Sequence, residues 1–368
     1  MLDKKSIKRL DLTLIIVVIL LNIISVMVIG SATQVNGSSD EKFYYMQRQG
    51  IFILANFIFV VGLLKIDYRN LLNISKHLYV FNLLALTAVM FLGKTALGAQ
   101  RWIQLGPITI QPSEFSKIIM IITLAALLEY RKENLYKLLD LFPVVLFVAV
   151  PMLLVMKQPD LGTSLVFGAI TMGMLYVAGI NPKIYFGSIG AALMCMPIFW
   201  HFLHEYQQNR IRVFLNPEMD PLGAGYHVIQ SKIAIGSGLI FGKGFHQGTQ
   251  SQLNFLPENH TDFIFAVVGE EFGFVGCAFV ILLYSIFIYR ALKIAQTAND
   301  DFGCFMATGI VAMFTFHIFV NVGMTTGIMP VTGIPLPFMS YGVSALTTNM
   351  IAVAMLLNIN MRKQKIMF

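Results

Sequence analysis

The chain has 368 residues, 57% of them hydrophobic and only 12% charged, with a mean hydropathy of +0.72 and a formal net charge of +7. A soluble domain usually carries about 25% charged residues, so this composition cannot cover a water-facing surface, and membrane lipid must be the solvent. The basic residues sit in short segments between apolar runs, and none forms a stretch interleaved with stacking aromatics, which excludes nucleic acid as a partner.

A spanning helix needs about 20 mostly apolar residues. The first such run follows Asp11; it is too long for the apolar core of a signal peptide and reads as the first span. Ten candidates follow in chain order: 11–31, 48–64, 77–93, 113–129, 141–157, 161–179, 183–203, 265–289, 304–328 and 339–361. A very tight turn, Lys157-Gln158-Pro159-Asp160, separates the fifth from the sixth. The expected fold is an all-α polytopic membrane protein, a single transmembrane domain over 1–368, with a long structured extracytoplasmic loop at 204–264. Connections longer than about 12–15 residues are functional or disordered, and the Phe, Leu, Ile and Tyr content of this one argues for order. Tyr226, Ile229, Ile233 and Ile240 recur near helical spacing, which predicts a helix lying on or re-entering the membrane.

Lysine and arginine orient the chain. With the N-terminus inside, Lys4, Lys5, Lys8, Arg9, Lys65, Arg69, Lys76, Arg131, Lys132, Lys137, Lys183, Arg290, Lys293, Arg362, Lys363 and Lys365 all face the cytoplasm. Both termini are then cytoplasmic. The acids, Asp40 and Glu41 among them, gather in the outer half, which is where carboxylates are available for chemistry. Cys195, Cys277 and Cys304 lie in or beside apolar runs, so neither a structural disulfide nor a zinc cluster is expected.

Four groups of residues could carry chemistry. Pro257-Glu258-Asn259-His260-Thr261-Asp262 stands directly before a helix and places Asp262 at the membrane surface, with Glu258 beside it. A carboxylate there could accept a proton from a hydroxyl, although acids also favour helix N-termini for capping alone. In Gln111-Pro112-Ser113-Glu114-Phe115-Ser116-Lys117, Glu114 and Lys117 share a helix face. A charge inside hydrocarbon is costly, so the two must pair or line a wet cavity. Asp160 opens a helix, where capping would explain it; it could also pair with Lys117 in an outward-facing polar cluster. Arg101, Arg210, Arg212, Lys232 and Lys243 are outer-side cations able to bind an anion, or simply solvated loop charges. The order His201-x-x-His204-Glu205 is not the His-Glu-x-x-His of zinc hydrolases, and metal ligation is not expected there. The small residues of Ser340-Tyr341-Gly342-Val343-Ser344, after the rigid turn Gly333–Phe338, suit close helix packing.

Asn216-Pro217, Asp220-Pro221-Leu222-Gly223-Ala224-Gly225-Tyr226, Gln230-Ser231, Ala234-Ile235-Gly236-Ser237-Gly238 and the stretch from Leu256 to Gly273 carry a resemblance. Together with the motifs at 111–117, 158–163 and 333–344 they resemble the SEDS family (shape, elongation, division and sporulation) over nearly the whole chain. Gly248-Thr249-Gln250-Ser251-Gln252 is similar to the elongation branch, the RodA type, more than to the division branch. Val343 and Leu239 stand where the family usually carries glycine. The resemblance implies a ten-helix bundle and peptidoglycan glycosyltransferase activity. The implied substrate is lipid II, a disaccharide-pentapeptide on undecaprenyl pyrophosphate, and the usual partner is a class B penicillin-binding protein. It also implies that Asp262 is the essential acid, and that Glu114, Lys117 and Asp160 are charged cavity residues. Transfer would invert the anomeric centre, with Asp262 as general base. Arg101, Arg210, Arg212 and Lys243, with Glu258 and a divalent cation such as magnesium or manganese where one is used, would serve substrate and leaving pyrophosphate. Two other classes fit the same sequence: a lipid-linked sugar flippase, which needs polar residues through both leaflets, and a non-catalytic scaffold for the partner synthase.

Overall fold

The computed structural model describes residues 9–33, 43–96, 99–106, 108–132, 137–201, 203, 205–220, 223–253 and 255–363. Lys4, Lys5, Lys8, Asp40, Glu41, His204, Pro221, Leu222 and Lys365, used in the sequence reading, lie outside them.

Among the described residues, seven helices are long and apolar enough to cross a membrane: α1 (Leu12–Ala32), α2 (Tyr44–Leu64), α3 (Asn70–Leu92), α5 (Leu138–Lys157), α12 (Ile264–Gln296), α13 (Asp301–Thr326) and α14 (Val343–Met361). The other expected spans also fall on helices. They are α4 (Pro112–Arg131), with its internal charges, α6 (Leu161–Val177), and α7 (Pro182–Met194) continued by α8 (Met196–Trp200). The seventh segment is thus two short helices where 183–203 predicted one, because Pro197 has no N–H to bond the preceding turn. The last helix starts at Val343 instead of 339, since Pro335 and Pro337 hold the preceding chain irregular. The predicted break at 157–160 is where α5 gives way to α6.

These helices are apolar on most faces, and large side chains such as Phe91, Ile58 and Leu139 remain exposed at their perimeter. In water that would be untenable; in lipid it is the expected outer surface. α13 and α14 are the most enclosed spans and α3 the most exposed. α13 sits centrally, against α4, α6, α12 and α14. Its N-cap Asp300 accepts from Gly303 N, while Asp11 caps α1 and pairs with Arg290 at 2.6 Å.

A small antiparallel sheet was not anticipated from the sequence. It comprises β1 (Lys94–Ala96), β2 (Ala99–Leu105) and β3 (Ile108–Ile110) in the order β1-β2-β3, with Lys94 opposite Trp102 and Ile103 opposite Ile110. Gly106 turns the chain between β2 and β3 at φ 62.

The 204–264 segment is structured as expected. It contains α9 (Glu205–Leu215), a 3-10 turn (Pro217–Met219), α10 (Ala224–Ser237) and the short α11 (Thr249–Gln252). α10 carries Tyr226, Ile229 and Ile233 of the expected helix but stops before Ile240. Beyond it, the backbone docks onto α12 at a break not read from the sequence: Gly273 has φ 64 and ψ −158. In an unbroken helix Phe274 N and Val275 N would bond Glu270 O and Glu271 O. They bond Leu239 O (2.9 Å) and Ile240 O (3.1 Å) instead, and the freed carbonyls accept from Lys243 N and Gly244 N, both at 3.0 Å. Gly238 permits this approach; a Cβ there would stand 1.9 Å from Gly269 O.

Candidate active site

One end of the bundle opens into a cavity of about 1140 Å³ between α2, β2, α4, α6, α9, α10, the turn before α12, and the 331–345 segment. Arg101, Glu114, Lys117, Asp160, Arg210, Glu258 and Asp262 all line it, although they are spread over more than 160 residues of chain.

Asp262 leaves a tight turn. Glu258 takes φ 51, and its carbonyl oxygen accepts from Thr261 N and Phe263 N, each at 3.2 Å. The backbone of Asp262 is tied to the bundle: Asn321 of α13, fully buried, donates to Asp262 O at 3.0 Å and to Ile334 O at 2.8 Å. Ser340 Oγ donates to Thr261 O at 2.6 Å, and Tyr341 N to His260 O at 2.9 Å. The frame is therefore fixed on both sides, yet the carboxylate itself has no hydrogen-bond or ion-pair partner among the described residues. Gly333 leaves room beside it, since a Cβ there would come within 3.5 Å of Asp262 Oδ2. Burial, and secondarily the negative Glu258, push the Asp262 carboxyl up to about 6, while Arg210 and Arg101 pull against them.

Lys117 lies almost fully buried, with Nζ 2.8 Å from Glu114 Oε1 and 3.1 Å from His317 Nε2. His317 Nδ1 lies 2.7 Å from Met313 O. A carbonyl can only accept, so Nδ1 carries the proton and Nε2 accepts from the ammonium. This corrects the expected pairing of Lys117 with Asp160. Asp160 instead caps α6, accepting from Thr163 N (3.2 Å) and Thr163 Oγ1 (3.0 Å), and it also takes Ser113 Oγ and Gln111 Nε2 at 3.3 Å each. Arg101 approaches Asp160 Oδ1 at 3.9 Å and donates to Gln158 O at 3.0 Å and to Pro159 O, so it wraps the 158–160 turn. Capping and cavity lining are thus both true of Asp160. Arg210 stacks over Tyr206, 5.9 Å from the ring centroid, with no carboxylate in ion-pair range among the described residues.

Two expected cations are placed elsewhere. Arg212 lies over Trp200 (5.7 Å) and bonds Gln208, away from the cavity. Lys243 pairs at 2.8 Å with Glu270, which is wholly buried and also accepts from Thr249, Gln250 and Ser251. Its role is to hold α11 against α12. Conversely, His317 and Asn321 are not among the expected site residues, although each is a single polar residue inside an apolar run, where burial of an uncompensated polar group is costly and is itself a signal. Tyr44 and Tyr45 on the first turn of α2, Arg48 one turn further along, and His227, which stacks parallel to Phe263 with centroids 6.1 Å apart, also line the cavity without being expected there.

Among the described residues, no group of three or more His, Cys, Asp or Glu side chains converges as a metal site. Asp262 and Glu258 could still offer oxygens to a hydrated magnesium shared with phosphate, the mode in which that ion usually binds.

The sequence matches, over residues 11–365, the family described as cell cycle protein, which takes in FtsW, RodA and SpoVE. The peptidoglycan glycosyltransferase MrdB of Escherichia coli K12 is 40% identical over 357 residues, covering 97% of this chain and 95% of that one. Stage V sporulation protein E of Bacillus subtilis 168 is 38% identical over 357 residues, covering 95% and 96%. Of solved structures, the rod shape determining protein RodA of Thermus thermophilus superposes with a TM-score of 0.72 at 25% identity, over 97% of this chain and 98% of that one. A chain from work on the structural coordination of polymerization and crosslinking by a peptidoglycan synthase complex superposes at 0.82 with 29% identity, over 97% and 99%. With its many apolar spans and its polar cavity, the chain belongs to the FtsW, RodA and SpoVE family and is a multi-pass membrane peptidoglycan glycosyltransferase of the RodA type.

Proposed function

We propose that the enzyme polymerises lipid II at this cavity, with Asp262 as general base and the cavity facing outward from the cytoplasmic membrane. The observation that carries the reading is the Asp262 carboxylate: anchored through its backbone, lining the cavity, without a hydrogen-bond or ion-pair partner among the described residues, and acted on by the charges of Arg210 and Arg101. The acceptor's N-acetylglucosamine 4-hydroxyl gives its proton to Asp262 as its oxygen bonds to C1 of the lipid-linked donor. The C1–O bond to the donor's diphosphate breaks on the opposite face, so the configuration inverts. The electron pair leaves on the diphosphate, where Arg210 and Arg101 offset the charge that builds. Glu114 and Lys117, neutral as a pair, keep the cavity's deep wall polar and rigid. A divalent cation, where one is bound, would add Lewis-acid stabilisation of the departing diphosphate, and Glu258 is the cavity carboxylate free of the base role that could help hold it.

The basic segments orient both termini toward the cytoplasm, and the outward cavity is then where a lipid-linked sugar can reach Asp262 while its polyprenyl chain stays in lipid. A class B penicillin-binding protein is the partner this arrangement serves, crosslinking strands as they emerge during elongation. The test is lipid II polymerisation by purified Asp262→Asn protein, with and without that partner. Turnover should drop at least a hundredfold, general acid–base contributions being typically about 10²–10⁴; a full rate would defeat the assignment.

A further inference from the structure

Beside the same cavity, three rings from distant parts of the chain meet, two of them in its lining. Tyr45, on the first turn of α2, lies 5.0 Å from His260 and 5.1 Å from Tyr341, centroid to centroid, and His260 and Tyr341 are 5.8 Å apart. Tyr44 continues the group, 5.4 Å from Tyr45 and edge-on to it. Arg48, one turn further along α2, lies 5.2 Å from the Tyr44 centroid and bonds its hydroxyl at 2.6 Å. Tyr44, Tyr45, Arg48 and Tyr341 all line the cavity, and Tyr45 keeps 36% of its surface exposed.

Packing alone does not explain this group. Core aromatics also meet ring against ring, as Phe287, Phe314 and Phe338 do, but those three are fully buried and reach no cavity. Here Tyr45 and Tyr341 meet edge-on and both present surface to a polar cavity, while His260 lies tilted against the two from behind and is joined to Tyr341 through a backbone hydrogen bond. The face of an aromatic ring is electron-rich, and the C–H face of a pyranose is its complement. Asp262 is two residues from His260, so its Cα lies within about 7 Å of that ring's own, roughly the length of one sugar. The cations that act on Asp262 are Arg210 and Arg101, from α9 and β2, elements that contribute no ring to the group.

We infer that Tyr45 and Tyr341, backed by His260, form the acceptor-sugar subsite: a platform that stacks the N-acetylhexosamine whose hydroxyl Asp262 deprotonates, while the donor's diphosphate lies toward Arg210 and Arg101. Tyr44, steadied by Arg48, buttresses the platform. The inference rests on the proposed base role of Asp262 for its direction, but its test does not.

The experiment is extension of a pre-formed lipid-linked glycan, with lipid II titrated as acceptor at saturating donor. Tyr45→Leu should raise the acceptor KM about five- to tenfold, the scale of one lost aromatic stacking contact, leaving donor KM and kcat within about twofold. Tyr45→Phe, which keeps the ring, should restore the acceptor KM. In an Asp262→Asn background, binding of short-chain lipid II should weaken by the same factor with Tyr45→Leu, and this readout stands even if Asp262→Asn still turns over. Tyr341→Leu carries the same expectation from the other wall, should Tyr45→Leu fail to fold. An unchanged acceptor KM, a rise in donor KM instead, or a Phe variant as impaired as the Leu variant would each overturn the inference.

Discussion

Asp262 should weaken the fold that holds it, and the effect should depend on pH. Its carboxyl is raised from 3.8 to about 6, first by burial and then by Glu258, with Arg210 and Arg101 only partly compensating. Each unit corresponds to about 1.36 kcal/mol, so holding the ionised form costs the folded state about 3 kcal/mol. The unfolded chain ionises near the ordinary value, and the folded chain only near 6. Stability is therefore lost as pH rises from about 4 to about 6, and the penalty is complete above that window. Asp262→Asn keeps the shape and removes the charge, so it should stabilise the protein by up to about 3 kcal/mol at pH 7.5 and by almost nothing below pH 4. For a chain of this size that is a rise of a few degrees in melting midpoint, measurable by thermal unfolding in nanodiscs at several pH values. Activity should move the other way: wild-type rate should fall about tenfold between pH 7 and pH 5 as the base is protonated. A variant that melts with the wild type at pH 7.5, or that differs from it equally at every pH, would refute the reasoning.

Other substitutions test the surrounding frame. Lys117→Met leaves Glu114 buried without its cation and should destabilise by about 3–5 kcal/mol; adding Glu114→Gln should recover much of that, read as a coupling energy in a double-mutant cycle of unfolding. Asn321→Ala frees Asp262 O and Ile334 O of their buried donor, which should lower kcat with little change in KM and cost about 1–3 kcal/mol of stability; kinetics unchanged from wild type would mean the turn holds Asp262 without it. Gly238→Ala drives a Cβ into Gly269 O, 1.9 Å away, and should sharply reduce folded yield by size-exclusion chromatography, whereas Gly236→Ala, with open space around it, should not.

Much of this architecture is written in apolar runs, which is why all ten expected spans land on helices. What composition could not show is where the backbone leaves regularity. The 94–110 segment is too short and too mixed to announce a sheet, and the Gly273 break becomes visible only when Leu239, Ile240, Lys243 and Gly244 come to pair with it. One sequence clue did point there: Leu239 occupies a position where the family favours glycine, and it adopts φ 51, a conformation strained for a side chain. Site residues on helix starts, Glu114 and Asp160, were legible because a charge beside an apolar run needs a reason. Arg212 and Lys243 were misplaced because charge alone does not say which way a 60-residue loop folds back; their partners, Trp200 and Glu270, are set by tertiary contacts.

Glu270 and Asp262 show how one fold gives two nearby acids opposite roles. Both stand at the start of α12, eight positions apart, and either could be read as the family's reactive carboxylate from type and location. Glu270 is wholly enclosed, and its oxygens accept from Lys243, Thr249, Gln250 and Ser251. Its lone pairs are occupied and it has no path to a substrate; it can only hold the loop to the helix. Asp262 has the reverse arrangement. Every hydrogen bond that fixes it runs through the backbone of its turn, from Asn321 and Ser340 and by way of His260, so the carboxylate is positioned without being used. A base needs both conditions: an accurate position, because misplacement by about 1 Å can cost a hundredfold in rate, and free lone pairs. The loop anchored by Glu270 carries the chain back to the turn that bears Asp262, so the structural acid supports the geometry that leaves the proposed base open.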